Sequence, residues 1–206
     1  ANALLRSIAH NMRPTFVRVR MTSQASLRAT SPVRTPTGAP SCDPMRDFIA
    51  HYQSMPPVAA MQVSVAGYDG KCLRLHAPLA LHVNDKGSAF GGSLVSLMTL
   101  ASWGLLTLRL AEAGMDAEVY VADSEVRYLS PLLDDLEAES QLADDESWDT
   151  FLSTLRQRGR ARTTLVSRVA LPDGRLATTF RARYAAIAPP RPPPPPRPRS
   201  SPPPGG

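Results

Sequence analysis

Cysteine is nearly absent: Cys42 and Cys72 are the only two in 206 residues, too few for a disulfide framework and without the spacing of a metal site. A reducing, cytoplasmic compartment is the expectation. Lysine is almost as scarce. It occurs only at Lys71 and Lys86, so nearly all of the 23 basic residues are arginine; with abundant alanine and 21 prolines this suggests a GC-rich, bacterial coding sequence. Acidic residues are missing before Asp43 and after Asp173. Nine arginines lie before residue 43 or after residue 188, whereas all 18 acidic residues lie between, so 43–188 carries a net charge of about −4. The high pI of 9.7 therefore belongs to the ends. A nucleic-acid-binding function does not follow from it.

What is present centres on Asn84 to Gly114, NDKGSAFGGSLVSLMTLASWGLLTLRLAEAG. A loop of turn residues leads into Gly91-Gly92, and from Leu94 to Ala111 apolar residues occupy every side of the helical cylinder. Such a helix is expected to be buried all round. Gly87 to Leu108 is long enough for a membrane span. Interspersed Ser, Thr and Gly, with sheet-like alternation on both sides, favour instead a core helix wrapped by strands.

The flanking elements read in order. Residues 1–42 lack acid and apolar periodicity, a composition that also suits an organelle transit peptide, and Met21 is a possible natural start; disorder is expected to about residue 42. Asp43-Pro44 forms an N-cap and first helical turn, with Met45, Phe48, Ile49 and Tyr52 at helical spacing before Pro56-Pro57. A hairpin follows through Met61–Val65, a turn at 67–70 and a return strand over 72–77. After Gly114 come strands over 117–129 and 136–142. An acid-led helix with Trp148, Phe151, Leu152 and Leu155 on one face precedes a hairpin over 161–171 and 176–187. Beyond residue 188 the tail RPPPPPRPRSSPPPGG is of polyproline II type. The domains expected are thus a tail over 1–42, one α+β domain over 43–188 with an antiparallel sheet around one long central helix, and a tail over 189–206.

That order, with FGGS entering the helix and ADSEVRYLSP, ASWGL and RGRARTTL elsewhere, resembles the hotdog-fold thioesterases, and more closely the thioesterase domain of YiiD C-terminal type. The resemblance covers about residues 43–188. It implies a hotdog fold, acyl-thioester hydrolysis, and edge-to-edge dimers or dimers of dimers with sites between subunits. In many relatives an amide stands six positions before a His-Gly-Gly and an acid eight positions after the first Gly. Asn84 matches the amide and Gly91 the oxyanion donor, so that the Asn84 side chain and the Gly91 N–H would polarise the thioester carbonyl together. Phe90 stands where the His would be, and Thr99 occupies the acidic place.

Physically, Gly91 and Gly92 allow a ligand to approach backbone N–H groups at a helix N-terminus, where a developing oxyanion is favoured. Thr99 does not ionise at neutral pH, so it can hold a water while the proton goes elsewhere. Asp123, on a strand, is the first candidate base, and Asp85 in the loop the second; each also has a plain structural reading, Asp123 pairing with Arg127 and Asp85 capping a turn. Ser96 and Thr99 are placed to line an acyl tunnel, with Phe90, Gly92 and Ser124 beside them. Arg156, Arg158, Arg160 and Arg162 are placed to hold coenzyme A phosphates or an acidic carrier protein, or to be a solvated helix end. Trp103 reads as core, and His76 and His82 as solvated or structural, without metal spacing.

The function expected is hydrolysis of acyl-CoA or acyl-carrier-protein thioesters, as in fatty acid metabolism, without metal or organic cofactor; coenzyme A or phosphopantetheine enters only as part of the substrate. The alternative is a non-catalytic acyl-thioester binding module. A hydratase lacks the His and acid pair it needs.

Overall fold

The computed structural model describes residues 43–189 and the strand 17–20. The rest of the two tails lies outside the described residues. In chain order the elements are β1 (Val17–Arg20), α1 (Pro44–Ser54), α2 (Pro56–Ala60), β2 (Ser64–Tyr68), β3 (Cys72–Ala77), a 3-10 turn (Leu79–Leu81), α3 (Gly91–Glu112), β4 (Glu118–Tyr128), β5 (Leu136–Leu142), α4 (Trp148–Arg158), β6 (Arg160–Ala170) and β7 (Leu176–Ile187).

Local chemistry explains most boundaries. Asp43 caps α1 by accepting from the N–H groups of Met45 and Arg46, and Pro44 supplies a helical φ at a position where no N–H is needed. Pro56 does the same for α2, a helix that the sequence reading, which only ended α1 before Pro56-Pro57, did not include. Gly114, at φ +61°, stops α3. Ser147, and not the acidic run before it, caps α4. Glu146 instead turns its carboxylate to the Thr164 N–H and the Thr163 hydroxyl of β6.

The strands form one antiparallel sheet in the order β1-β4-β7-β6-β5-β3-β2, wrapped around α3. The short β1 pairs with Asp123–Val126 at the β4 edge, so these four residues depart from the structureless segment expected over 1–42. A long, alternating edge strand offers unpaired N–H and C=O groups that any extended segment can satisfy.

A bulge in β4 between Val121 and Asp123 decides which side chains face the helix. Val119 and Val121 lie opposite the buried Ala186 and Tyr184, but after the bulge Ser124, Val126 and Tyr128 take over that face, opposite Ala182, Phe180 and Thr178. Asp123, Glu125 and Arg127 go to the outer face. One extra residue reverses the parity of everything beyond it.

α3 is held in place by three side chains that reach consecutive carbonyls of its middle turn. Ser167 of β6 donates to Met98 O at 3.2 Å, Tyr184 of β7 to Thr99 O at 3.1 Å, and Tyr52 of α1 to Leu100 O. One turn on, the Ser102 hydroxyl lies 3.0 Å from that of Ser140 and 2.7 Å from that of Ser167, all three buried. Burial around them is dense, with Leu97, Met98, Ala101, Leu105 and Leu106 wholly inaccessible. The helix is long and apolar enough to cross a membrane, but its packing inside the sheet is that of a core helix.

It is not buried all round, as its sequence had led one to expect. Gly92 and Ser96 are exposed, and Val95, Thr99, Leu100, Trp103 and Thr107 only half-buried, a stripe at helical spacing left open by the sheet.

Gly104 tests the packing. A Cβ there would sit 2.5 Å from Phe48 Cζ and 2.6 Å from the Tyr52 hydroxyl oxygen. Gly→Ala in a helix normally stabilises by up to about 1 kcal/mol, whereas overpacking of this kind costs ~1–3 kcal/mol. Gly104→Ala should therefore lower stability by ~1–2 kcal/mol, read as a lower denaturant midpoint at unchanged slope.

Candidate functional site

The loop before α3 is built on Asn84. Its side-chain oxygen accepts from the N–H groups of Lys86 (2.8 Å) and Ser88 (3.2 Å), and its NH2 reaches Ser88 Oγ (3.0 Å) and Ala89 O (3.4 Å). The Ala89 N–H donates to Leu132 O and the Phe90 N–H to His82 O, which ties the loop to the segment after β4 and aims Phe90 at the helix start. Both amide hydrogens of Asn84 are thus committed within its own loop. It shapes the approach to α3 and has no N–H left for an oxyanion, a correction to the role expected for it.

Phe90 is the N-cap residue of α3 and offers no side-chain cap, so the first N–H groups of the helix point outward without one. Two aromatic rings flank them. The Tyr128 ring lies where a Cβ on Gly91 would come within 3.1 Å of it, and its hydroxyl donates to Gly91 O at 3.1 Å. The Phe90 ring, 55% exposed, fills the Cβ space of Gly92 at 2.5 Å. Each glycine makes room for a ring of its own chain. Burial raises the Tyr128 pKa, which keeps its hydroxyl a donor.

The other expected residues divide. Ser96 and Thr99 continue from Gly92 along the open stripe of α3, and Ser124 faces the same side of the sheet. Asp123 does not join them. The β4 bulge turns it to the outer face, where it pairs with Arg183, so the sheet separates it from α3 and it cannot take a proton from a water at Thr99 within one chain. Asp85 is at the right loop but exposed, bonded to Lys86 at 3.0 Å, and that contact holds its carboxyl below the usual range, the opposite of what a base requires. Arg160 sits opposite Ile187, itself opposite Glu118 at the start of β4. Gly91 adjoins Tyr128 at the other end, ten residues or roughly 33 Å along the strand. Within one chain Arg160 is therefore remote from the helix start. Arg156, Arg158, Arg160 and Arg162 are exposed and have no ion-pair partner among the described residues.

Sequence reasoning passed over Tyr128 and read His82 only as solvated or structural. Tyr128 carried a signal, as the aromatic of RYLSP at the end of a strand. His82 carried none, since its partners Met61 and Ser93 lie 21 and 11 residues away in the chain.

Residues 49–188 match the family described as "Putative thioesterase (yiiD_Cterm)". The chain belongs to this family. A putative thioesterase from Shewanella oneidensis is 27% identical, with a TM-score of 0.63 over 70% of this chain and 97% of that one. A protein of unknown function from Chlorobaculum tepidum is 25% identical, with a TM-score of 0.66 over 70% and 94%. The PaaI protein from the phenylacetic acid degradation operon of E. coli, at 14% identity and TM-score 0.53 over 70% and 94%, shares the fold. The sheet wrapped on α3 is the hotdog fold, as the resemblance implied, and family and fold together support thioester hydrolysis at the level of reaction class.

Asn84→Ala removes four hydrogen bonds from one loop. It should cost ~1–3 kcal/mol of stability and open Asn84–Phe90 to faster amide hydrogen exchange, while exchange in β6 and β7 stays unchanged.

Proposed function

We propose that this protein hydrolyses acyl thioesters of coenzyme A or of a carrier protein's phosphopantetheine arm, in the cytoplasm, as a homodimer or dimer of dimers. The observation that carries the reading is the uncapped N-terminus of α3. Its outward N–H groups at Gly91 and Gly92 lie between the rings of Phe90 and Tyr128, in a chain of thioesterase family. A thioester carbonyl directed at those N–H groups would gain negative charge in the transition state where the helix dipole favours it. The rings would exclude water from the leaving sulfur, and the acyl group would run along Ser96 and Thr99. The reading requires neither metal nor organic cofactor, so chelator treatment should leave activity unchanged.

A second reading has its own observation. Neither candidate carboxylate stands at the start of α3 in a state to act as base, since Asp123 is behind the sheet and Asp85 is held by Lys86; a module that binds acyl thioesters without cleaving them suits that arrangement.

Release of free thiol from a panel of acyl-CoAs and acyl-carrier proteins, from acetyl to palmitoyl and including aryl groups, separates the two. Turnover of at least one substrate is expected; saturable binding of the panel with no thiol release supports the module.

The open stripe of α3 and the edge of β4 beyond β1 support self-association. Val95, Leu100 and Trp103 would otherwise remain half-wet on a core helix. Light scattering at micromolar concentration should give a mass of two or four chains. A single-chain mass would remove this part of the proposal.

A further inference from the structure

His82 is 5% exposed, and both of its ring nitrogens are occupied. It follows the 3-10 turn Leu79–Leu81, whose first N–H is fixed by Asp135 Oδ1 at 2.8 Å, and its carbonyl receives the N–H of Phe90 at 2.7 Å. The imidazole is thereby placed under the first turn of α3. Nε2 lies 2.9 Å from Met61 O and Nδ1 lies 2.9 Å from Ser93 Oγ.

The tautomer of the neutral ring follows from these partners. A carbonyl only accepts, so Nε2 carries the hydrogen, Nδ1 presents its lone pair, and the Ser93 hydroxyl donates to it. The peptide that presents the accepting carbonyl joins Met61 to Gln62, which stands at φ +51°. Non-glycine residues seldom adopt that conformation, and where they do the surrounding structure imposes it. Ser93 is the third residue of α3, directly after Gly91 and Gly92. Cα–Cβ bonds in a helix tilt toward its N-terminus, which puts Oγ on the side of the outward N–H groups. A hydroxyl bonded to an imidazole, itself oriented through its other nitrogen, beside backbone oxyanion donors, is the arrangement of an activated nucleophile.

We propose that Ser93 and His82 are the nucleophile and general base of the hydrolysis assigned above, a step that rests on that reading. Ser93 Oγ attacks the thioester carbon while His82 Nδ1 takes the hydroxyl proton, and the oxyanion is held by the N–H groups of Gly91 and Gly92. Collapse breaks the C–S bond, the proton passes from Nδ1 to the departing thiolate, and an ester remains on Ser93. Water then adds to the ester carbonyl, giving its proton to Nδ1; the C–Oγ bond breaks, the proton returns to Ser93, and the carboxylic acid leaves. The Met61 carbonyl keeps Nε2–H in place and stabilises the imidazolium formed in each half. No carboxylate is needed, consistent with the positions of Asp123 and Asp85 and with threonine at residue 99.

The full chain is tested in two ways. First, kcat is measured on the best acyl-CoA of the panel for wild type, Ser93→Ala and His82→Gln, with melting temperatures alongside. Loss of at least ~10²-fold in kcat is expected for both, with Ser93→Ala melting within a few degrees of wild type. Second, wild type is treated with a fluorophosphonate, which phosphonylates an activated serine irreversibly with loss of fluoride, and the adduct is mapped by peptide mass. A label on Ser93 is expected, at least ten-fold slower to form in His82→Gln. Turnover in Ser93→Ala within three-fold of wild type overturns the pair and leaves the hydrolase reading standing. If wild type cleaves no thioester, that reading falls and the mapping decides alone: a label on Ser93 shows an activated nucleophile, and none overturns it.

Discussion

The burial of α3 depends on where its middle carbonyls point. Each already closes a helical hydrogen bond, and those of Met98, Thr99 and Leu100 each accept a second one, from Ser167, Tyr184 and Tyr52. Three successive carbonyls project at about 100° intervals around the cylinder, so donors from β6, β7 and α1 fix both the rotation of the helix and its height against the sheet. A purely apolar contact would tolerate sliding. These bonds do not, because a slip of one residue would leave buried hydroxyls unpaired at a cost of about 1–3 kcal/mol each. The position of Gly91 and Gly92 at the rim of the sheet follows from that clamp about two turns away.

The same constraint explains the division among charged residues. Once β4 is held on α3 by Val126 and Tyr128, the bulge after Val121 sends Asp123 to the outer face, and the groups that meet the helix start include two aromatic rings, the hydroxyl of Ser93 and the imidazole of His82. A site assembled from neutral hydrogen-bonding groups loses less on desolvation than one built on a carboxylate. It can therefore be as dry as its aromatic walls allow.

Much of the fold was legible in the sequence, and for identifiable reasons. β5, β7 and the termination of α3 at Gly114 were placed by alternation and by glycine. The wrapping of an antiparallel sheet around one helix was carried by the length of the apolar helix between hairpins, and the hotdog fold by the resemblance in the motifs around it. What failed were single-residue events. Period-two reasoning places Asp123 on the face of Val121, and a bulge has no reliable sequence mark. Pro56-Pro57 read as a stop because proline ends helices, yet it opens them equally well. In the site, the glycines that open α3 were legible, whereas the partners of His82 were not, because they come from a left-handed corner and a helix 21 and 11 residues away in opposite directions along the chain. Asn84 was found at the right place and given the wrong task, since the turn its side chain organises is satisfied from within the loop.

The arginines at the opposite end of the sheet have a consequence for how a substrate arrives. An anionic thioester diffusing toward an isolated chain is drawn by Arg156, Arg158, Arg160 and Arg162 to a place from which the helix start is a strand's length away, while Asp134, Asp135 and Glu137 lie near the end it must reach. Steering by charge would then slow capture. Screening by salt would accordingly quicken capture by the single chain, the reverse of the salt dependence that attraction at the site itself would give.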